Sequence, residues 1–427
     1  MDIKQIHELF LQCSAISIDT RNIEKNSFFI AIKGERFDAN IFANEALQKG
    51  AKFVIIDNAD YFIDERTILV VDSLITLQEL AKFHRNYLKI PIVAITGSNG
   101  KTTTKELIQT VLSKKFNTKA TIGNLNNHIG VPLTLLSFNN ETEIGIVEMG
   151  ANHKNEIEFL CSIAQPNFGY ITNFGKAHLE GFGGFEGVIQ GKSEMYNFLS
   201  NNGKVIFVNL DDPIQVQKTK NNSIYTFGYN CPSANINITN IIANPFVLIK
   251  FENTVISSKL IGLYNANNIN AALTIGSYFG VPISDIKDAI ESYSPENNRS
   301  QLIKKNSNEI ILDAYNANPS SMAVALKNFF QLENPSKTAI LGDMFELGDE
   351  SNSEHKTIVN LIADASNIKT YFVGKYFYYN KINKQNLYFY ESYESFIEDF
   401  KEVHPENTII LIKGSRGMAL ERVLDFI

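Results

Sequence analysis

The chain has 427 residues, 44% hydrophobic and 20% charged, which is the composition of a globular protein with room for about two to four domains. A net charge of −7 excludes the basic field that would make nucleic acid the main partner. No signal-peptide pattern follows Met1-Asp2-Ile3-Lys4-Gln5, no apolar run reaches membrane-spanning length, and Cys13, Cys161 and Cys231 are too scattered for a disulfide framework or a zinc knuckle, so the expectation is a reducing cytoplasm and no membrane partner.

Residues 1–88 predict a small α/β unit, with strands over 27–32 and 52–56 and a helix over 41–49. Two polar clusters, 17–21 (Ser17, Asp19, Thr20, Arg21) and 33–40, are expected at strand edges. They suit either a phosphate- or ribose-bearing ligand or plain turn chemistry with solvated charge.

The next stretch is the most specific in the chain. Ile92-Val93-Ala94-Ile95 reads as a buried strand, and Leu107, Ile108, Val111 and Leu112 have the spacing of one helix face. Between them lies Thr96-Gly97-Ser98-Asn99-Gly100-Lys101-Thr102-Thr103-Thr104. Glycines there let backbone N–H groups and a helix N-terminus approach a polyphosphate, the lysine adds a point charge, and a threonine hydroxyl can bind Mg²⁺. Gly97 and Gly100 enclose two residues rather than four, so the loop is a short variant.

Residues 89–296 alternate strands with helices, which predicts a parallel sheet binding its ligand at the carboxyl ends of the strands. Four clusters are expected at such ends: 121–130 with Asn126 and Asn127; Glu148 to His153; 173–182 with His178; and Gln190 to Met195 with Lys192. A carboxylate at Glu148 is a good Mg²⁺ ligand beside a phosphate loop. His178 is either a cation ligand or a polar loop residue. Lys192 is either a solvated surface lysine or a desolvated amine open to carbamylation by CO₂. Asn265 and Asn268 either read an adenine edge or cap the helix they begin.

Residues 297–427 predict a second Rossmann-like unit without a phosphate loop, with strands over 309–312, 338–341, 370–373 and 408–412. Asn318-Pro319 reads as a helix N-cap and first turn. Lys413, Ser415 and Arg416 are expected at the start of a final helix, as a carboxylate trap or a basic surface turn.

These pieces together resemble the Mur ligases of peptidoglycan synthesis. The resemblance is carried by the phosphate loop, Asn126-Asn127-His128-Ile129-Gly130-Val131-Pro132, Glu148-Met149-Gly150-Ala151-Asn152-His153 and Ala177-His178-Leu179-Glu180-Gly181-Phe182-Gly183. Tyr315-Asn316-Ala317-Asn318-Pro319, Leu341-Gly342-Asp343-Met344 and Lys413-Gly414-Ser415-Arg416 complete it, in the family's order over nearly the whole chain. It implies three α/β domains: 1–88 for a UDP-sugar, 89–296 for ATP and 297–427 for the incoming amino component. Within the family it points to the activity that adds D-alanyl-D-alanine to UDP-N-acetylmuramoyl-tripeptide through an acyl phosphate. The rivals are a different ligase of the same fold, either one adding the third stem residue or a folylpolyglutamate synthetase, and a nucleotide-driven regulator.

By the same resemblance, Gly97, Ser98, Asn99, Gly100, Lys101, Thr102, Thr103, Asn265, Asn268, Arg299, Asp313 and Tyr315 face ATP. Ser17, Asp19, Thr20, Arg21, Asn126 and Asn127 face the UDP-sugar peptide, and Asn316, Asn318, Lys413, Ser415 and Arg416 face the dipeptide. Lys101, Glu148, His178 and Lys192 are the implied catalytic set. Thr102, Glu148, His178 and a carbamylated Lys192 are the implied ligands of two Mg²⁺ ions, in a chain expected to act as a monomer. The chain departs from the family at Tyr264, where histidine is common, and at Ala39-Asn40, where Gly-His is common.

Overall fold

A computed structural model describes every residue except Arg36 and Asn297. Arg36 belongs to the predicted polar cluster 33–40, and Asn297 is where the third expected domain begins; both lie outside the described residues.

The first sheet is parallel throughout, in the order Ile16–Ser17, Phe28–Ile30, Phe53–Ile56, Thr67–Leu69. Phe28, Phe29 and Ile30 are all buried, as expected of a strand covered on both faces, which is why this run is continuously apolar. The helix Ile3–Phe10 opens on a capping box in which Asp2 and Gln5 exchange hydrogen bonds. The helix Ser73–Leu88 starts where Asp72 accepts from the Ile75 N–H and stops at Lys89 in the left-handed region. It packs on Ile3–Phe10 and on helices of the central sheet. Arg85 fastens it there, donating to the carbonyls of Ala164 and Gln165 at 3.0 and 3.1 Å.

The central sheet has nine strands, in the order Thr254–Ile261, Phe246–Phe251, Ile236–Ala243, Ile224–Tyr229, Val205–Asn209, Phe168–Ile171, Ile92–Thr96, Ile144–Glu148, Thr118–Ala120. It is parallel from Thr118–Ala120 as far as Ile236–Ala243, and the last three strands form an antiparallel meander. The expected parallel sheet is present, and two antiparallel strands extend it at one edge. In Phe246–Phe251 exposed and buried positions alternate, the pattern of a strand covered on one face, which needs no crossover helix. The placement of Ile92–Thr96 between Phe168–Ile171 and Ile144–Glu148 decides the site: three neighbouring carboxyl ends deliver the phosphate loop, Glu148 and the segment from Thr172 to His178.

The third sheet runs Gln301–Lys305, Asn308–Asp313, Ile409–Lys413, Lys337–Gly342, Ile368–Val373, Leu387–Tyr390. It is parallel except for the first strand, a hairpin partner at the edge. Its three adjoining strand ends deliver Tyr315 to Asn318, Asp343 to Glu346, and Lys413 to Arg416. The expected N-cap at Asn318 is present, accepting from the Ser321 N–H ahead of Pro319–Gln331.

Two expectations are corrected. The chain after Lys413 forms two 3₁₀ stretches, Arg416–Met418 and Leu420–Phe426, separated by Ala419 in the left-handed region, instead of an α-helix. Lys192 sits inside the helix Phe185–Asn201 and not at a strand end. One continuous apolar cluster joins the three sheets, holding Phe28, Phe182 and Phe329 in contact through buried neighbours. Among the described residues, no helix is long and apolar enough to cross a membrane.

Candidate active site

The phosphate loop is shaped by what its glycines permit. Gly97 has φ +144°, and a Cβ there would lie 1.9 Å from Thr172 Oγ1. Gly100, at φ +77°, precedes the helix Lys101–Leu112 and leaves 2.6 Å between an imagined Cβ and Asn268 Oδ1. The loop is tied to the neighbouring strand end. Thr172 Oγ1 and Asn173 Nδ2 both donate to the Asn99 carbonyl, at 2.6 and 2.9 Å, and Ser98 Oγ donates to the Gly175 carbonyl at 2.8 Å. A rigid nest of N–H groups at a helix N-terminus results, the arrangement that binds phosphate oxygens.

Lys101 donates to the Gly97 carbonyl at 2.8 Å. Burial pulls its ammonium below the usual lysine range; the Glu148 carboxylate opposes this and the Arg299 cation reinforces it. Glu148 is 1% exposed. Its Oε1 accepts from Asn126 Nδ2 at 2.8 Å, while Oε2 is buried and has no partner. A buried carboxylate oxygen without a donor is costly unless a cation meets it. Among the described residues no three His, Cys, Asp or Glu side chains form a ready metal cage. Mg²⁺ takes few protein ligands and fills its shell with phosphate oxygens and water. Thr102 and Glu148 fit such an ion.

These residues line a cavity of about 780 Å³ that runs from the phosphate loop to the strand ends of the third sheet. Of the expected ATP-facing set, Ser98 through Thr103, Asn265, Asn268, Arg299, Asp313 and Tyr315 line it. Arg299 stacks its guanidinium 3.5 Å from the centre of the Tyr315 ring. Asn265 and Asn268 do not cap their helix with a side chain. Asn268 Nδ2 donates to Asn265 Oδ1 and Thr104 Oγ1 donates to Asn268 Oδ1, so the pair backs the phosphate loop. Tyr264 stays in the cavity wall through its contact with Ser300 Oγ at 2.6 Å.

Lys192 does not line the cavity. It is fully buried, its Nζ has no hydrogen-bond partner, and it lies 5.3 Å from the centre of the Phe182 ring. Burial holds its amine far below the ordinary lysine range and nearby Lys101 lowers it further, against the pull of Glu156 and Glu194. The solvated-surface alternative is thereby removed.

A second cavity of about 260 Å³ adjoins the first and is lined by His178, Tyr315, Asn316, Asn318, Glu346 and Arg416, among others. His178, Tyr315, Asn316 and Asn318 line both. His178, in the left-handed region, meets Glu346 through Nδ1. Lys176 pairs with Glu354 at 2.5 Å, and Asn99 bridges to Asn318 Nδ2 at 2.7 Å and Ser320 Oγ at 3.0 Å. The phosphate-loop side and the third sheet are therefore clasped at three points.

The expected carboxylate trap is not assembled. Lys413 is buried, bonded to Asp313 at 2.6 Å, and faces the larger cavity. The Ser415 hydroxyl is committed between the Phe345 N–H and the Ala317 carbonyl. Of the three, Arg416 alone keeps an exposed charge, paired with Glu421 at 2.8 Å. The strand register explains the split: Lys413 lies opposite Asp313 in the ladder. Ser17, Asp19, Thr20 and Arg21 line neither cavity; Asp19 accepts from the Arg21 side chain and backbone, which holds its carboxyl down at about 2. Asn127 lines the larger cavity and also caps the turn into Gly130–Leu136, accepting from the Gly130 N–H.

Comparison with known proteins agrees with this geometry. Three family models match in sequence: "Mur ligase family, catalytic domain" over 12–93, "Mur ligase middle domain" over 95–276, and "Mur ligase, glutamate ligase domain" over 298–416. The UDP-N-acetylmuramoyl-tripeptide–D-alanyl-D-alanine ligase of Bacillus subtilis (strain 168) is 34% identical over 96% of this chain and 92% of its own length. The chain belongs to the Mur ligase family. The Escherichia coli (strain K12) protein of the same name is 32% identical over 96% of this chain and 92% of its own. Among solved structures, MurF from Acinetobacter baumannii superposes with a TM-score of 0.87 at 28% identity, covering 99% of this chain and 97% of the other. MurF ligase from Thermotoga maritima, in complex with ADP, gives 0.83 at 27% identity, covering 98% and 97%. As a Mur ligase the chain has the expected three-part α/β fold. Sequence reasoning missed the contacts of Glu346, Glu354 and Ser320; for Glu346 the signal was the glycine-bounded strand end from Gly342 to Gly348, visible without an assigned task.

Proposed function

We propose that the chain is an ATP-dependent, ADP-forming ligase that joins D-alanyl-D-alanine to UDP-N-acetylmuramoyl-tripeptide, giving the UDP-muramoyl-pentapeptide precursor of peptidoglycan. The observation that carries this reading is the single cavity in which the phosphate loop, Lys101 and the half-satisfied Glu148 face the strand ends of the third sheet. A carboxylate activated by phosphate on one side meets an amine delivered from the other.

The chemistry follows in two steps. A tripeptide carboxylate oxygen attacks the γ-phosphorus, the bond to the bridging oxygen breaks, and ADP leaves. The dipeptide amine then attacks the acyl carbon, the bond from that carbon to the phosphate oxygen breaks, and phosphate leaves as the nitrogen loses a proton. Neither step needs a protein nucleophile. The loop N–H groups of Ser98 to Thr103 and the Lys101 ammonium stabilise charge on the transferring phosphoryl group. Asn265, Asn268, Arg299, Asp313 and Tyr315 hold the nucleotide; Asn126 orients Glu148 and, with Asn127, receives the peptide end of the donor. Asn316, Asn318 and Arg416 receive the dipeptide beside the smaller cavity, and Ser17, Asp19, Thr20 and Arg21 receive the uridine end.

Mg²⁺ neutralises phosphate charge when bound. Thr102 and Glu148 hold one ion; His178 and Lys192 hold a second, with Lys192 as a carbamate. The burial of Lys192, which lowers its amine's proton affinity well below the lysine range, and its lack of a partner support that modification, because only a neutral amine adds to CO₂. Residues 1–88, 89–296 and 297–427 serve as UDP-sugar, ATP and dipeptide domains, in a cytoplasmic monomer. The test is to supply ATP, Mg²⁺ and UDP-N-acetylmuramoyl-tripeptide, with D-alanyl-D-alanine or single amino acids in separate reactions. A pentapeptide mass with the dipeptide alone is expected. A product with a single amino acid, or phosphate release without any mass gain, overturns the assignment.

A further inference from the structure

Three side-chain clasps join the third sheet to the phosphate-loop side, and one differs in kind. Asn99 with Asn318 and Ser320 joins neutral amides and a hydroxyl, and Lys176 with Glu354 joins two opposite charges; neither clasp includes a proposed cation ligand. The third brings a carboxylate to Nδ1 of a histidine, whose Nε2 makes no hydrogen bond among the described residues. We infer that Glu346 is a positioning residue that orients His178 toward its cation, so that the cation site is complete only when the third sheet is docked. This rests on the proposed role of His178 as a cation ligand.

A carboxylate at Nδ1 fixes the proton there and leaves Nε2 with the lone pair, the arrangement that metal-ligating histidines use. Both residues are held where a side chain rarely sits: φ is +52° at His178 and +62° at Glu346. Such backbone persists only where the surroundings over-determine it. The surroundings here do so. Asp343 accepts from the Tyr376 and Phe377 N–H groups, each at 3.0 Å. The Met344 N–H donates to His355 Nε2 at 3.0 Å and the Phe345 N–H to Ser415 Oγ at 2.9 Å. Each residue leading to Glu346 is thus pinned. The Glu180 N–H also donates to the Glu346 carbonyl at 3.4 Å, bringing the two backbones together. His178 lines both cavities and Glu346 only the smaller, so the ring stands between the phosphate side and the carboxylate. The nucleotide side and the amine side then share one ion-binding histidine that neither completes alone.

The experiment uses the full chain, Mn²⁺ as the probe and a non-hydrolysable ATP analogue, with bound Mn²⁺ counted by electron paramagnetic resonance. Glu346→Gln is expected to weaken one Mn²⁺ site by about 10- to 100-fold, the usual effect of losing an outer partner of a ligand, and His178→Ala, which removes the ligand itself, by at least as much. Glu354→Gln, which opens a different clasp, is expected to leave Mn²⁺ affinity within about twofold of the parent. Glu346→Asp serves as a second variant, keeping the charge while shortening the reach, and is expected to fall between. Parent-like Mn²⁺ affinity in Glu346→Gln alongside a weakened His178→Ala overturns this inference and leaves the proposed function standing. Equal losses in Glu346→Gln and Glu354→Gln also overturn it, since the carboxylate then acts only as a clasp. Parent-like affinity in His178→Ala removes the assignment of His178 as a ligand, and the inference with it.

Discussion

Replacing Gly97 by alanine places a methyl group 1.9 Å from Thr172 Oγ1 and 3.0 Å from both the Thr172 Cβ and N, at a φ of +144°. Thr172 is 3% exposed and cannot swing into solvent. It must rotate and give up the 2.6 Å hydrogen bond to the Asn99 carbonyl, or the loop must move. Backbone strain at such a φ costs about 1–3 kcal/mol. The lost hydrogen bond adds roughly 1 kcal/mol, softened because Asn173 Nδ2 also donates to that carbonyl. We expect about 2–4 kcal/mol in all, divided between unfolding free energy and binding of a non-hydrolysable ATP analogue. Urea denaturation and calorimetric titration read the two parts. Thr172→Ala deletes the clashing oxygen, so Gly97→Ala with Thr172→Ala should recover about 1 kcal/mol over the sum of the singles. Parent-like stability and affinity in Gly97→Ala, or strict additivity in the double variant, would refute the reasoning.

Further outcomes are equally concrete. Lys101→Ala should abolish ligation, read as pentapeptide formed per hour, because it removes the amine that lies at the phosphate site beside Glu148, whose carboxylate favours its charged form against the effect of burial. Lys192→Ala should be largely inactive and partly rescued by added short carboxylates, while activity without rescue would remove the carbamate. Glu148→Gln should raise the Mg²⁺ concentration needed for half-maximal rate by at least about tenfold, since it takes away the anion whose Oε2 awaits a cation. His7 and His84 form a buried pair at 2.9 Å, with His84 also meeting the Phe138 carbonyl at 3.0 Å. Burial first, and then His84, lower the His7 pKa to about 4, so the native state holds it neutral. Its contribution is therefore complete above the unfolded value near 6.5 and is lost as pH falls toward 4, by up to roughly 3 kcal/mol. Denaturant titrations from pH 7 to 4 should show that slope, and His7→Gln should flatten it.

What the sequence disclosed follows from how locally each feature is encoded. The phosphate loop needs glycines, a lysine and a threonine within a few residues of one strand, and the N-cap at Asn318-Pro319 needs two adjacent residues, so both were legible. The antiparallel strands Phe246–Phe251 and Thr254–Ile261 were hidden because short alternating runs in a polar, asparagine-rich stretch carry little signal beside helix–strand alternation. Lys192 shows the limit most clearly. Its residue type favours solvent, and only the packing of Phe182 over its amine, set by tertiary structure, leaves it buried without a partner. The Lys413 pairing was equally out of reach, because it depends on the strand at 409–413 lying beside Asn308–Asp313, about 100 residues earlier in the chain. Glu346 and Glu354 escaped because their partners, His178 and Lys176, lie in the segment after the strand Phe168–Ile171 of another sheet, 168 and 178 residues earlier in the chain.

The central claim is that the tripeptide carboxylate itself attacks the γ-phosphate. The most direct measurement is ligation of UDP-N-acetylmuramoyl-tripeptide labelled with ¹⁸O in its terminal carboxylate, with ATP, Mg²⁺ and D-alanyl-D-alanine. The released phosphate is then examined by mass spectrometry. The account predicts one ¹⁸O atom in each phosphate and one retained in the new amide carbonyl. Phosphate free of label, with both ¹⁸O atoms still in unreacted tripeptide, would mean that ATP is hydrolysed at this site without activating the carboxylate.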